Sequence, residues 1–243
     1  MSQTLRVVLP AYLESETIRE AINRLLNEFD RVQVDAEIVV VLDGPDEITR
    51  LALEKVRDER ISVRELPSNQ GKGAALRAGC VGCESQFVAF LDADLDIHPH
   101  SLTNCFEALL HCTDPYVVCA YGSKFHRESL VEYPVTRRIG SYVFRFLIHR
   151  LFKIDCADTQ TGIKVFHSAP LLEALAHTRE QRFLFDVELL AVLARCGGKL
   201  LEAPVELNYQ YSSTIRPSVV ARMVSDLARL RARLGSTNTS EIR

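Results

Sequence analysis

Short apolar runs alternate along this chain with longer stretches of helical spacing. Leu5-Arg-Val-Val-Leu9 reads as a buried strand closed by Pro10, and Ser15 with Glu16 opens a helix reaching about Phe29. Glu37-Ile-Val-Val-Val-Leu42 is a second strand, ending in the turn signal Asp43-Gly44-Pro45. A helix from about Asp46 to Arg57 and a strand from Ile61 to Leu66 follow, and another helix begins in Asn69-Gln-Gly71-Lys72-Gly73. Phe87 to Leu91 is too short and too apolar for a surface helix and reads as a buried strand, with Pro99 in the first turn of the helix after it. Tyr116 to Tyr121 and Lys199 to Val205 supply further strands, and the stretch from Asp155 to Phe166 is a polar loop entering a short one. Strand and helix alternating with short connections predict an α/β fold, a Rossmann-like, mostly parallel sheet with helices on both faces. One domain over residues 1–234 and a polar tail over 235–243 account for the whole pattern, without internal repeats or Pro-, Gly- or Ser-rich linkers.

Two later helices are amphipathic. Ile139, Tyr142, Val143, Phe146, Leu147, Leu151 and Ile154 fall on one face of the first, with Arg138, Arg145, His149 and Lys153 on the other. Val219, Val220, Met223, Val224, Leu227, Leu230 and Leu234 form the apolar side of the second, which also carries Arg222, Arg229, Arg231 and Arg233. Such helices either pack on a core with a solvated basic face or lie in a membrane interface. The first reading is the commoner.

Composition narrows the classes. The chain has 243 residues, 47% of them hydrophobic, and a formal charge of -3. That balance argues against a dedicated nucleic-acid binder. Met1-Ser-Gln-Thr leads straight into a strand-like run, unlike a secretory signal, and no apolar window is long enough to span a bilayer. Seven scattered cysteines suit free thiols in a reducing cytosol, and Cys80-Val-Gly-Cys83 has no second pair to complete a metal site. The expectation is a cytoplasmic protein, peripheral at a membrane face if the basic helix lies on lipid.

Chemistry concentrates at the strand ends. Ligands of open α/β sheets bind beyond the carboxyl ends of the strands, where Pro10 to Glu14, Asp43-Gly44 and Asp92 to Asp96 all fall. In extended backbone Asp92, Asp94 and Asp96 point the same way, and three converging carboxylates call for a divalent cation shared with substrate phosphates. The plainer alternative is a polar strand end capping the next helix. Gly71-Lys72-Gly73 at a helix start offers N–H groups and a point charge to a phosphate, or is simply a helix start; it lacks the remainder of a Walker motif.

In this order, Pro10-Ala-Tyr-Leu-Glu14, Asp43-Gly44, Asn69-Gln-Gly-Lys-Gly73, Asp92-Ala-Asp-Leu-Asp96, Gly122-Ser-Lys124 and Asp158-Thr-Gln-Thr-Gly-Ile-Lys164 resemble a family 2 glycosyltransferase of GT-A fold. The likeness runs from about Leu5 to Leu234 and is strongest to the dolichyl- or polyprenyl-phosphate hexosyltransferases. Asp158-Thr-Gln160 and Phe185-Asp-Val-Glu-Leu-Leu190 look more like the glucose than the mannose synthases of that branch. The chain departs from the pattern in having Leu42-Asp43 where two aspartates are common, Asp96 where mannose synthases have Gln, and Lys124 where arginine is frequent.

The resemblance implies an inverting, metal-dependent hexosyltransferase that moves glucose or mannose from UDP-glucose or GDP-mannose to a polyprenyl or dolichyl phosphate at a membrane surface, with a small membrane partner as a further option. It implies Mg2+ or Mn2+ on Asp92 and Asp94, with Asp96 beside them. Substrate contacts are implied at Pro10, Tyr12, Glu14, Asp43, Gly71, Lys72, Asp92, Ala93, Lys124, Ser141 and Gln160. Arg137, Arg138, Lys124 and Ser141 are the groups assigned to an acceptor phosphate. A hydroxyl acceptor, soluble or on a glycolipid, would instead need a base, and Asp158 or Asp186 would supply it. A nucleotide-sugar-binding protein without turnover is the rival from another class.

Overall fold

The computed structural model describes residues 3–94, 96–131, 135–207 and 217–236. The expected tail from residue 237 onward lies outside them. Strands β1 (Thr4–Ala11), β2 (Asp35–Leu42), β3 (Ile61–Glu65), β4 (Phe87–Phe90), β5 (Val117–Ser123), β7 (Lys164–His167) and β8 (Lys199–Pro204) form one sheet in the order β3-β2-β1-β4-β7-β5-β8. A two-residue pair, β6 (Leu130–Val131) with β9 (Glu206–Leu207), stands apart. Pairing is parallel except at β7, which runs antiparallel to both β4 and β5. The sheet is therefore mostly parallel, as expected, with one reversed strand in its interior.

Alternation along the strands fills two cores. Val8, Val39, Val41, Val88 and Phe90 face one side, with α3 (Lys72–Cys80), α6 (Ser168–Ala176), α7 (Phe185–Arg195) and parts of α5 (Val135–Phe152) and α8 (Pro217–Ser236). Leu5, Val7, Leu9, Ile38, Val40 and Leu42 face the other, against α1 (Ile18–Val32) and α4 (His100–Leu110). The fit of α1 shows how sequence produces this. Ile18, Ile22, Leu25 and Phe29 recur at helical spacing and are all buried, each contributing about 1.5–3 kcal/mol of transfer free energy. The helix stops at Gln33, which turns left-handed (φ 56°) and donates its N–H to Phe29 O. The seven-residue helix α2 (Glu47–Leu53) starts at Asp46, whose carboxylate accepts from Thr49 N–H.

The expected faces of α5 need a correction. Of the expected apolar face, Leu151 and Ile154 pack on the core, but Tyr142 and Phe146 are 55% and 67% exposed, and Phe144, Ile148 and Phe152, outside that face, lean on the core instead. Arg145, His149, Arg150 and Lys153 are exposed too. Aromatic and basic side chains thus share the solvent side. For α8, Leu227, Leu230 and Leu234 are buried as the pattern requires.

The topology fixes the site. β2 and β3 lie to one side of β1 and β4 to the other, so the chain reverses its direction of travel across the sheet between β1 and β4. The crevice at that reversal opens at the carboxyl ends of the parallel strands. Because β7 is reversed, the loop before it, residues 158–163, reaches the same rim.

Candidate active site

Each rim loop is held by the one beside it. Asp43, just past β2 and 5% exposed, accepts from the backbone N–H of Gln70 (2.7 Å) and of Gly71 (2.8 Å). Its carboxylate therefore fixes the loop that opens α3, a structural task beside the nucleoside contact expected of it. Asp46 does more than start a helix. Its side chain also accepts from Leu13 N–H at 2.9 Å, tying the Pro10–Glu14 loop to α2. Leu13 sits at φ 60°, an uncommon conformation for a branched residue. Glu14 accepts from Thr17 Oγ1 at 2.7 Å at the start of α1, and Tyr12 is 49% exposed on the rim.

The glycines beside Lys72 approach protein rather than open space. Gly71 has φ 102°, and a Cβ there would lie 2.5 Å from Gln181 O; one on Gly73 would lie 2.7 Å from the Phe185 ring. Gly73 N–H donates to Gln181 O at 2.7 Å, so one of the donors expected for a phosphate is already used. Lys72 itself faces the carboxylates. Its Nζ is 2.6 Å from Asp92 Oδ1 and 3.9 Å from Asp186 Oδ2. Burial opposes its charge, but Asp92 and Asp186 outweigh that and raise its pKa above the usual lysine range.

Asp186 is held from a second side. Lys164 Nζ, on a side chain 1% exposed, lies 2.7 Å from Asp186 Oδ1 and also donates to Thr161 O at 2.7 Å. Burial would push the Asp186 carboxyl up, yet Lys164 and Lys72 prevail and hold it below the ordinary range. Asp92, Lys72, Asp186 and Lys164 thus alternate in sign across the floor of the crevice. In the sequence Lys164 closes the motif that begins at Asp158. A lysine inside the apolar run Ile163-Lys164-Val165-Phe166 was the available signal that a buried counter-charge awaited it.

The second acid considered as a base, Asp158, is likewise occupied. It is 6% exposed, its Oδ2 lies 3.0 Å from Lys124 Nζ, and it accepts from Lys124 N–H at 3.3 Å. Between these pairs, Gln160 Nε2 and Thr161 Oγ1 are buried without a protein partner, which leaves them open to a ligand. Gly162 has room for no side chain, since any Cβ would meet the Asp92 carboxylate. Pro10 lies at the end of β1, and Ala93 is buried behind the carboxylates. Arg137, Arg138 and Ser141 fall on α5, and their side chains lie outside the described part of the chain.

The aspartates do not converge by strand alternation. β4 ends at Phe90, Ala93 and Asp94 lie in a bend, and Asp96 N–H donates to Asp94 Oδ1 at 3.1 Å. Among the described residues, the ligand atoms of Asp92, Asp94 and Asp96 do not all lie within 4.8 Å of one another. They still feel each other. The Asp94 carboxyl is pushed up to about 6, first by desolvation and then by the charges of Asp92, Asp96 and Glu14. Asp94 keeps its surface in water, so screening limits what this costs in stability. Hard oxygen donors in mutual repulsion suit Mg2+ or Mn2+, and the donor set fits such an ion.

The family model described as "Glycosyl transferase family 2" matches residues 6–175. The chain belongs to that family. It is 30% identical over 93% of its length to a dolichyl-phosphate beta-glucosyltransferase of Trichomonas vaginalis, covering 72% of that protein. To the dolichyl-phosphate beta-glucosyltransferase of Saccharomyces cerevisiae it is 27% identical over 93%, covering 74%. The fold superposes on glucosyl-3-phosphoglycerate synthase from Mycobacterium tuberculosis, solved with Mn2+ and uridine-diphosphate-glucose. The TM-score is 0.71 at 20% identity, covering 97% of this chain and 80% of that one. The family 2 glycosyltransferase is thus an enzyme of GT-A fold, as its motifs implied.

Two outcomes follow from the charges. Lys164→Met is expected to destabilise the protein by about 3–5 kcal/mol, because Asp186 stays buried with only the more distant Lys72. Urea unfolding measures this, and a loss under ~1 kcal/mol would show that the pair does not hold the crevice together. In metal-free protein Asp94→Asn is expected to raise the melting temperature at neutral pH. The folded pKa of Asp94 lies above its unfolded value, so its charge costs stability increasingly as pH rises from about 4 to about 6 and fully above that. The gain should therefore vanish near pH 4; a gain independent of pH would sink the explanation.

Proposed function

We propose that this glycosyltransferase moves glucose from a nucleoside-diphosphate sugar to a polyprenyl or dolichyl phosphate, with inversion at the anomeric carbon. The observation that carries the acceptor class is that both acids suited to act as base are ion-paired, Asp158 with Lys124 and Asp186 with Lys164 and Lys72. A hydroxyl acceptor needs a free base. A phosphate monoester, with a second pKa of about 6, is already largely ionised at neutral pH and needs cations. The likeness to dolichyl-phosphate beta-glucosyltransferases supports the same acceptor and favours glucose over mannose.

In this reading an acceptor phosphate oxygen attacks C1 of the hexose from the face opposite the diphosphate. The bond from C1 to the diphosphate oxygen breaks, a phosphodiester forms and the nucleoside diphosphate leaves. Lys72 stands where it can meet the charge growing on the leaving group, and Asp186 holds its ammonium in place. Lys124 is the described cation assigned to the acceptor phosphate, and Arg137, Arg138 and Ser141, whose side chains lie outside the described part of the chain, are assigned to it as well. Gln160 Nε2 and Thr161 Oγ1 are donors left for the substrates. Asp92 and Asp94, with Asp96 beside them, would hold Mg2+ or Mn2+, whose charge offsets that of the diphosphate.

A lipid acceptor must be reached from the membrane surface. Among the described residues no helix is long and apolar enough to cross a membrane. The outward side of α5, with Tyr142, Phe146, Arg145 and Arg150, and Lys153 just past its end, has the composition for reversible contact with anionic lipid.

Released nucleotide, measured for a panel of sugar nucleotides with and without polyprenyl phosphate, tests this reading. Turnover with a glucose donor is expected only when the lipid is present, and to fall at least ~100-fold in Asp94→Ala; equal turnover with soluble hydroxyl acceptors would exclude the phosphate acceptor. Arg150→Glu with Lys153→Glu should weaken flotation with anionic liposomes, each charge contributing ~1 kcal/mol near the surface. Unchanged flotation would remove α5 from the membrane contact.

A further inference from the structure

Just beyond the carboxylate loop lies a cluster of different chemistry. His98 ends that loop, His100 opens α4, and Glu206 stands on β9. The Nδ1 atoms of the two histidines are 2.7 Å apart, and His100 Nε2 is 3.6 Å from Glu206 Oε2. All three side chains are partly buried, and each offers one ligand atom within 4.8 Å of the other two.

The backbone sets this cluster up. His98 N–H donates to Glu206 O at 3.1 Å, and Glu206 N–H donates to Ser101 Oγ at 3.0 Å. Ile97 bridges to Leu207, and His100 N–H donates to His98 Nδ1 at 3.3 Å. The three side chains therefore meet because two chain segments are laced together beneath them. Glu28 also senses His100, but its carboxylate accepts from Arg31 and Thr103 and is committed there.

We propose that His98, His100 and Glu206 form a binding site for a transition-metal ion of the zinc class. Two imidazole nitrogens facing each other at 2.7 Å cannot both carry protons, so at least one presents a lone pair. Two imidazoles and one carboxylate suit zinc and its neighbours, whereas the aspartate loop, all oxygen, suits Mg2+ or Mn2+. Around a tetrahedral ion with bonds of about 2.0–2.1 Å, two nitrogens stand roughly 3.3 Å apart, so a small rotation of the rings admits the ion. The open fourth position falls to water. Occupancy clamps β9 to the N-terminus of α4 and pins the far end of the loop that carries Asp94 and Asp96. A hydrogen-bonded His98–His100–Glu206 relay without metal is the competing account.

The full chain, stripped by chelator and kept in millimolar Mg2+, is titrated with zinc chloride against a chromogenic zinc chelator, and its melting temperature is followed. About one equivalent of zinc is expected to bind. The melting temperature should rise by about 5 °C or more at a hundredfold excess over Kd. His98→Gln with His100→Gln should lower zinc affinity by roughly 1000-fold or more, beyond the ~10–100-fold that lost outer partners can cost. Asp92→Asn should keep the equivalent. If the double histidine variant does not fold, Glu206→Gln, which preserves volume, decides, with an expected ~10-fold loss of affinity. No zinc bound by the unaltered chain, or the same affinity in either variant, overturns the proposal and leaves the relay.

Discussion

The crevice is organised by a buried pair of opposite charges. Lys164 and Asp186 could not sit in this interior singly, and together they give α7 and β7 a fixed relation. Lys72 then attaches α3 to Asp186, and Asp92 attaches the loop after β4 to Lys72. Four elements distant in sequence are thereby joined by alternating charge. Phe185, next to Asp186, lies against Gly73 and beneath the guanidinium of Arg77, 4.9 Å from its ring centre. Apolar packing and charge thus bring α3 and α7 together at one point. A pair of this kind contributes little net stability over an apolar substitute, but it specifies one arrangement of the rim.

Most of the fold was legible because buried parallel strands are written as unbroken apolar runs, and each here was bounded by turn residues. What escaped notice has physical causes. Four residues cannot announce the direction of β7, and α6 begins at Ser168 directly after that strand, with no Gly or Pro between them. β6 and β9 are two residues each and owe their existence to neighbours far away in sequence. Periodicity gives α5 an apolar face without saying whether the core or the surface takes it. Tyr142 and Phe146 are apolar and outside, which periodicity alone cannot reveal.

The site was legible to a different degree. Motif order placed the acidic loops at one rim, and topology agrees. Local geometry was less readable, since alternation applies only while the strand lasts, and β4 ends before Asp92. The glycines of the lysine loop illustrate the same limit. At a helix start they suggest N–H groups offered to a phosphate, yet their close neighbours are Gln181 and Phe185. The reason for glycine there lies in a segment more than a hundred residues away.

The ion pairs also bear on which acceptor the rim can use. A diphosphate donor and a phosphate acceptor bring two anions together beside a row of carboxylates, and repulsion must be met with cations already in place. Lys72 and Lys124 are such cations, each stored against an aspartate. An arriving phosphate competes with the aspartate for its lysine and so has the means to draw that lysine toward itself. A neutral hydroxyl brings no such charge, and Asp158 would stay masked by Lys124 when a base was needed. The same contact therefore counts against one acceptor and for the other: a phosphate requires the lysine, and a hydroxyl requires the acid that the lysine covers.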